Sequence, residues 1–213
     1  MAKYDIDRFE DIKIIPGNGI SPFTGYKVFR AWDNELKRHV VVKSGYKPSN
    51  MHMTIKEEYN FLSRLDHIGV IKVYGYQKNA MEYMIMADHT LGGRRSRWRE
   101  IFKTATEEQC RTFIQHMINT LLYLRREGVI NGDVEMANIV ATYPWHPVMI
   151  DFGRVWLQFY TETELVAMLH PGNNTRVNAW VRELCGIGGK YAEEGAMVDF
   201  NIKNMIIEEL QKI

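Results

Sequence analysis

Short apolar runs broken by polar turns fill the first third of the chain, and helical spacing takes over afterwards. Ile12–Ile15 is a brief apolar run that ends in Pro16-Gly17-Asn18-Gly19, a strong turn signal. Tyr26–Trp32 and His39–Ser44 read as two more strands, separated by the polar stretch Asp33–Arg38. Together they predict an antiparallel meander. Thr54 and Glu57 then form a capping box, and Ile55, Tyr59, Leu62 and Leu65 fall on one helical face. Val70–Tyr76 and Met81–Met86 return to strand character.

The pattern changes after Asp88, with His89–Gly93 as a connector. Thr106 and Gln109 make a second capping box. Cys110, Phe113, Ile114, Met117, Leu121 and Leu124 form an apolar stripe, which predicts a long helix to Arg126 stopped by Gly128. Ile139–Thr142 and Val148–Asp151 read as short strands around a turn containing Pro144 and Pro147. The rest reads as mainly helical. Asp199 is the expected cap of a last helix with Ile202, Met205, Ile206 and Leu210 inward. His146 and His170, each beside a proline, read as turn residues.

Composition narrows the options. The 213 residues are 46% hydrophobic, enough for a core in one domain or two joined lobes. Lys and Arg total 27 against 26 Asp and Glu, so no global charge argues for nucleic acid or an anionic membrane. The run Arg94, Arg95, Arg97 and Arg99 around Trp98 reads as a solvated surface stretch rather than a docking patch. No run approaches the ~20 apolar residues that span a bilayer. Cys110 and Cys185 lack metal-ligand spacing, and the N-terminus has no apolar leader core. A reducing cytoplasm is the expected setting.

Three segments carry the chemistry. Val40-Val41-Val42-Lys43 is an apolar strand ending in a lysine; Asp133 and Asn138 lie five apart beyond the long helix; Asp151-Phe152-Gly153 ends a strand. Phosphoryl transfer depends on positioning and on neutralising charge. Mg2+ needs hard oxygen ligands, which an aspartate and an asparagine supply. A further carboxylate must accept the proton of the attacking hydroxyl. A flexible lysine that holds phosphates needs an anion to fix it, and Glu58 in the first helix is placed to serve.

Read in order, these segments resemble the protein kinase family. Val41-Val42-Lys43 resembles the family's strand-three lysine motif. Glu58–Leu62, followed by Leu65–Gly75, resembles its helix C and next strand, and Tyr123–Val140 resembles its long helix and catalytic loop. Asp133 and Asn138 keep the D-x-x-x-x-N spacing, and Asp151-Phe152-Gly153 matches the metal-binding tripeptide. The resemblance implies an α+β bilobal fold. Residues 1–88 would form an antiparallel lobe with one helix, and residues 89–213 a shortened, mostly helical lobe. It implies ATP and Mg2+ as cofactors. Lys43, paired with Glu58, would hold phosphates. Asp133 would be the catalytic base, and Asn138 and Asp151 the metal ligands. Gly17 and Gly19 would open the phosphate loop, and Val28, Val41 and Val140 would enclose the adenine. Leu62, Val73 and Phe152 would belong to an apolar column.

The chain also departs from the family pattern. Ile20–Thr24 lengthens the glycine loop, with Pro22 inside it. Asn131-Gly132-Asp133 stands where His-Arg-Asp is common, so no arginine there pairs with a phosphorylated activation loop. Glu135 occupies a position where a lysine is common, and its charge opposes a γ-phosphate. The short region after Gly153 resembles minimal effector or viral kinases, which would place the protein in a host cytosol. The expected activity is phosphorylation of protein Ser or Thr hydroxyls, aided by an activating protein partner. The alternatives are a pseudokinase that binds nucleotide and partners, and a small-molecule kinase of the aminoglycoside type.

Overall fold

The computed structural model describes residues 8–15, 27–45, 53–78, 82–89, 102, 104–131, 134–142, 145–157, 161–173, 179–185 and 201–213. Gly17, Gly19, Gly132, Asp133, the arginines at 94–99 and Asp199 lie outside them. The chain divides into two compact units. One comprises Met1–Asp66, Ile71–Arg94 and Phe152–Arg154; the other comprises His67–Val70, Arg95–Asp151 and Val155–Ile213.

The first unit is built on a five-stranded antiparallel sheet in the order β1-β2-β3-β5-β4. Its strands are β1 (Phe9–Ile14), β2 (Lys27–Asp33), β3 (Arg38–Gly45), β4 (Val73–Lys78) and β5 (Glu82–Ala87). Alternation sorts the side chains by face. Phe9, Phe29, Ala31, Val40, Val42, Tyr83 and Ile85 close one side as a single apolar cluster. Phe9 sits edge-on to both Phe29 and Tyr83. Asp33, fully buried, ties the β2–β3 turn together. It accepts from Arg8 and from the backbone amides of Glu35 and Leu36.

Helix α1 (Ile55–Leu62) lies over β3, β4 and β5, and starts at the expected Thr54–Glu57 capping box. Its buried residues are Ile55, Glu58, Phe61 and Leu62. The inward face is therefore rotated from the expected one. Tyr59 is only half-buried, stacked on Tyr76, because the helix turns an acid toward the sheet. The expected strand from Val70 is also divided. Val70 makes an isolated parallel bridge to Met149, and β4 begins only at Val73.

The second unit is organised around α2 (Glu107–Arg126), capped by Thr106 and Gln109 as the sequence predicts. Gly128 follows with φ 69°, a left-handed turn that a side chain would resist. Next come β6 (Val129–Asn131), a 3-10 turn (Met136–Asn138), β7 (Ile139–Thr142), β8 (His146–Met149) and β9 (Val155–Leu157). β6 pairs with β9, and β7 with β8. The unit ends with α3 (Glu162–Leu169), α4 (Ala179–Leu184) and α5 (Ile202–Leu210). Asn201 caps α5 by accepting from the Asn204 amide, which corrects the expectation of Asp199. The inward residues Ile202, Met205, Ile206 and Leu210 are buried as expected.

Gly69 meets α2 at close range. A Cβ there would lie 1.9 Å from Thr120 Oγ1 and 2.9 Å from two Thr120 carbons. Thr120 is buried, and its hydroxyl donates to the His116 carbonyl. Gly69→Ala is therefore expected to overpack this contact and cost about 1–3 kcal/mol or more. A thermal melt would show a drop of several degrees, reduced when Thr120→Gly is added.

Imidazoles gather around His116 of the same helix. His116 and His146 have ring centroids 3.9 Å apart, and His67 stacks on Tyr123. His146 thus begins a strand against α2 rather than serving as a turn residue, whereas His170 does hold a turn, its Nδ1 accepting from Gly172. Burial, then the neighbouring His146 and His67, hold the His116 pKa below its ordinary 6.5, and burial lowers that of His67. The folded rings resist a proton that the unfolded chain takes up near pH 6.5. Stability should be full above that pH and fall as pH drops below it, until the lowered folded values are passed. Urea midpoints at pH 7.5 and 5.5 would show the loss, and His116→Phe should flatten it.

Candidate active site

The predicted site residues divide between the two units, and each group is described within its own unit. In the first, the β3 alternation that buries Val40 and Val42 turns Val41 and Lys43 to the other face, where α1 lies. Lys43 Nζ donates to Glu58 Oε2 at 2.7 Å and to Oε1 at 3.0 Å. The lysine side chain is 8% exposed and the glutamate 1%. Leaving either charge alone in such a place would cost several kcal/mol, so the pair specifies this geometry.

Glu58 has a further duty. The Phe152 backbone amide donates to its Oε1 at 3.2 Å. The Phe152 ring lies 6.1 Å from that of Phe61, and the Gly153 carbonyl accepts from the Met53 amide. The Phe152–Arg154 segment is therefore anchored on α1 and on the residues just before it. Sequence reasoning placed Lys43 beside Glu58 but missed Phe61 and the Phe152 amide. The aromatic one turn after Glu58 was the available signal. Leu62 and Phe152 are buried, and Val73 is half-buried. Val28 and Val41 share the face of Lys43, with Val28 directly opposite Lys43 in register.

In the second unit, the 3-10 turn carries Asn138, which is buried. Its amide donates to the Glu135 carbonyl, and its carbonyl accepts from Ile150 at 2.8 Å. The β7–β8 pairing continues this register, with Ile139 opposite Met149. Asn138 is thus bonded to the residue next to Asp151. Asp151 has φ 61°, the left-handed region that aspartate tolerates better than most side chains. Such a backbone conformation persists only where the surrounding structure holds it, as the Ile150–Asn138 bond beside it does here. Helix α4 supports the turn: the Trp180 amide donates to the Val134 carbonyl, and its fully buried ring sits edge-on to Phe113. This brace leaves no trace in the sequence pattern, because one tryptophan in a short helix does not reveal its contact. Glu135 precedes the turn and is half-buried, and Val140 is half-buried on β7 opposite Val148.

One carboxylate and one amide oxygen are a hard donor set suited to Mg2+, which keeps several waters and needs few protein ligands. Among the described residues no group of three or more His, Cys, Asp or Glu could hold a metal ion. A surface cavity of about 300 Å³ among α2, α3 and α5 is lined by Ile118, Leu122, Arg126, Glu209 and Lys212, and by none of the candidate residues. No helix among the described residues is long and apolar enough to cross a membrane.

Comparison with known proteins identifies the family. The family model described as "Protein kinase domain" matches residues 24–167. Serine/threonine-protein kinase PLK4 of Danio rerio is 25% identical over 152 residues, covering 69% of this chain and 16% of that protein. Serine/threonine-protein kinase D of Synechocystis sp. is 26% identical over 163 residues, 70% of this chain and 30% of that one. Serine/threonine-protein kinase cds1 of Schizosaccharomyces pombe is 26% identical over 117 residues, 55% of this chain and 25% of that one. The chain thus spans less than a third of the length of these relatives. Among solved structures, Rad53 1-466 in complex with AMP-PNP has a TM-score of 0.55 at 19% identity, over 70% of this chain and 39% of that one. That likeness shows the fold. A family match running through well over half of the residues, over the same α+β plan, settles the affiliation: this chain belongs to the protein kinase domain family.

Proposed function

We propose that the chain transfers the γ-phosphoryl group of ATP to Ser or Thr hydroxyls of proteins. The observation that carries this reading is the buried Lys43–Glu58 pair, whose carboxylate also takes the Phe152 amide. A lysine held this way is a fixed cation for α- and β-phosphates. Residues 1–88 and 89–213 are taken as the two lobes. In this reading Val28, Val41 and Val140 bound the adenine, and Gly17 and Gly19 belong to the phosphate loop. Asp133 orients the attacking hydroxyl and accepts its proton. Asn138 and Asp151 would hold Mg2+, which when bound neutralises charge on the β- and γ-phosphates.

Asn131 and Gly132, in place of a histidine and an arginine, support activity that does not depend on activation-loop phosphorylation. Glu135, an acid where a lysine is common in the family, supports a reading in which transfer is weak without an activating protein partner. The free thiols of Cys110 and Cys185 fit a reducing cytosol.

The test is γ-phosphoryl transfer to generic Ser/Thr protein substrates, with and without lysate as a source of partners. Mg2+-dependent incorporation above an Asp151→Ala control supports the reading. Incorporation equal to that control in both conditions overturns it. ATP binding without transfer would then mark a nucleotide-binding interaction module.

A further inference from the structure

The nucleotide face of the sheet carries a second cation locked by a second carboxylate. Register aligns the side chains in rows. Val28, Lys43 and Met84 form one row, and Arg30, Val41 and Met86 the next. Trp32 and His39 follow in a third, their rings edge-on at 5.2 Å. The opposite face is filled by the apolar cluster, so Arg30 belongs to the Lys43 side.

From there Arg30 Nε donates to Asp88 Oδ2 at 2.5 Å, just past the end of β5. The Asp88 side chain is 8% exposed and that of Arg30 is 32% exposed. A carboxylate buried this far needs its cation, so Asp88 fixes the direction of the guanidinium. The Arg30 side chain nonetheless keeps about a third of its surface open, in the same row as Val41. Lys43 sits one row away, where the proposed function puts the phosphates.

We propose that Arg30 is a nucleobase-binding residue, its guanidinium stacking on the purine beside Val41, and that Asp88 is the positioning residue that holds it there. Planar guanidinium groups stack on aromatic rings, and a lysine ammonium cannot reproduce the plane. The inference rests on the nucleotide reading of this face, and adenosine separates the two. Adenosine has a base but no phosphates, so it reports on the Arg30 row and is blind to Lys43.

The experiment is calorimetric titration of the full chain with adenosine and with Mg-ATP. Arg30→Gln should weaken both ligands by a similar factor, about five- to twentyfold. Arg30→Lys should recover only part of that, and Asp88→Asn should fall between wild type and Arg30→Gln. Lys43→Met combined with Glu58→Met, which leaves neither buried charge unpaired, should weaken ATP and leave adenosine unchanged. In the transfer assay Arg30→Gln should raise the KM for ATP with kcat within about twofold, a split that a folding defect would not give. Unchanged adenosine affinity in Arg30→Gln, or full rescue by Arg30→Lys, overturns the stacking role while leaving the proposed function intact. Failure of the wild-type chain to bind either ligand overturns both.

Discussion

Glu58→Ala should destabilise the protein by about 3–5 kcal/mol and abolish phosphoryl transfer. The physical reason is asymmetry. The Lys43 ammonium is buried, and its charge is matched by two contacts to the Glu58 carboxylate at 2.7 and 3.0 Å. Removing the acid leaves a cation in an apolar place and also takes an acceptor from the Phe152 amide. At ~2–4 °C per kcal/mol for a chain of this size, the melting temperature should fall by about 10 °C. Removing both charges is different. Lys43→Met combined with Glu58→Met replaces an expensive pair with apolar volume, so most of the stability should return. Activity should not, because in the proposed function the lysine that holds the α- and β-phosphates is gone. A double-mutant cycle read by thermal melts and by transfer rate separates the two roles. A double variant as unstable as Glu58→Ala would mean that the pair is needed for folding itself.

Asp151→Ala should lower kcat by on the order of a thousandfold, the several kcal/mol that a bound metal contributes to charge stabilisation. Its φ of 61° provides an internal control. Alanine in that region pays ~1–2 kcal/mol, and glycine pays nothing for it. Asp151→Gly should therefore melt higher than Asp151→Ala while being equally inactive. Asp151→Asn keeps the local hydrogen-bonding capacity and an oxygen ligand, so it should retain the backbone geometry and part of the rate. If Asp151→Ala kept wild-type kcat, Asp151 would not be a metal ligand whatever its backbone does.

The sequence made much of this legible, for reasons that can be named. The helices at Ile55 and Glu107 announce themselves through capping boxes, which are local and survive any tertiary context. The meander was readable because a strand with one buried face alternates with period two. The boundaries of the first helix's buried face were not. Glu58 is buried because of Lys43, a residue fifteen positions away, and hydrophobic periodicity treats a glutamate as surface. The strands β6 and β9 escaped because three residues carry too little pattern, and their pairing joins distant segments. The brace from Trp180 to Val134, the contact of Gly69 with Thr120, and the Arg30–Asp88 pair are likewise long-range. Motif residues declare themselves by spacing; the residues that hold motifs in place are fixed only by packing.

In the proposed function Lys43 holds the phosphates of ATP, and Asn138 and Asp151 hold Mg2+. The most direct test of that reading is the affinity of ATP measured by calorimetry with and without Mg2+, in the wild-type chain and in Asp151→Ala. The account predicts that Mg2+ tightens ATP binding at least tenfold in the wild type, about 1.4 kcal/mol or more, and has no such effect in the variant. Equal enhancement by Mg2+ in both proteins, or no binding in either, would contradict it.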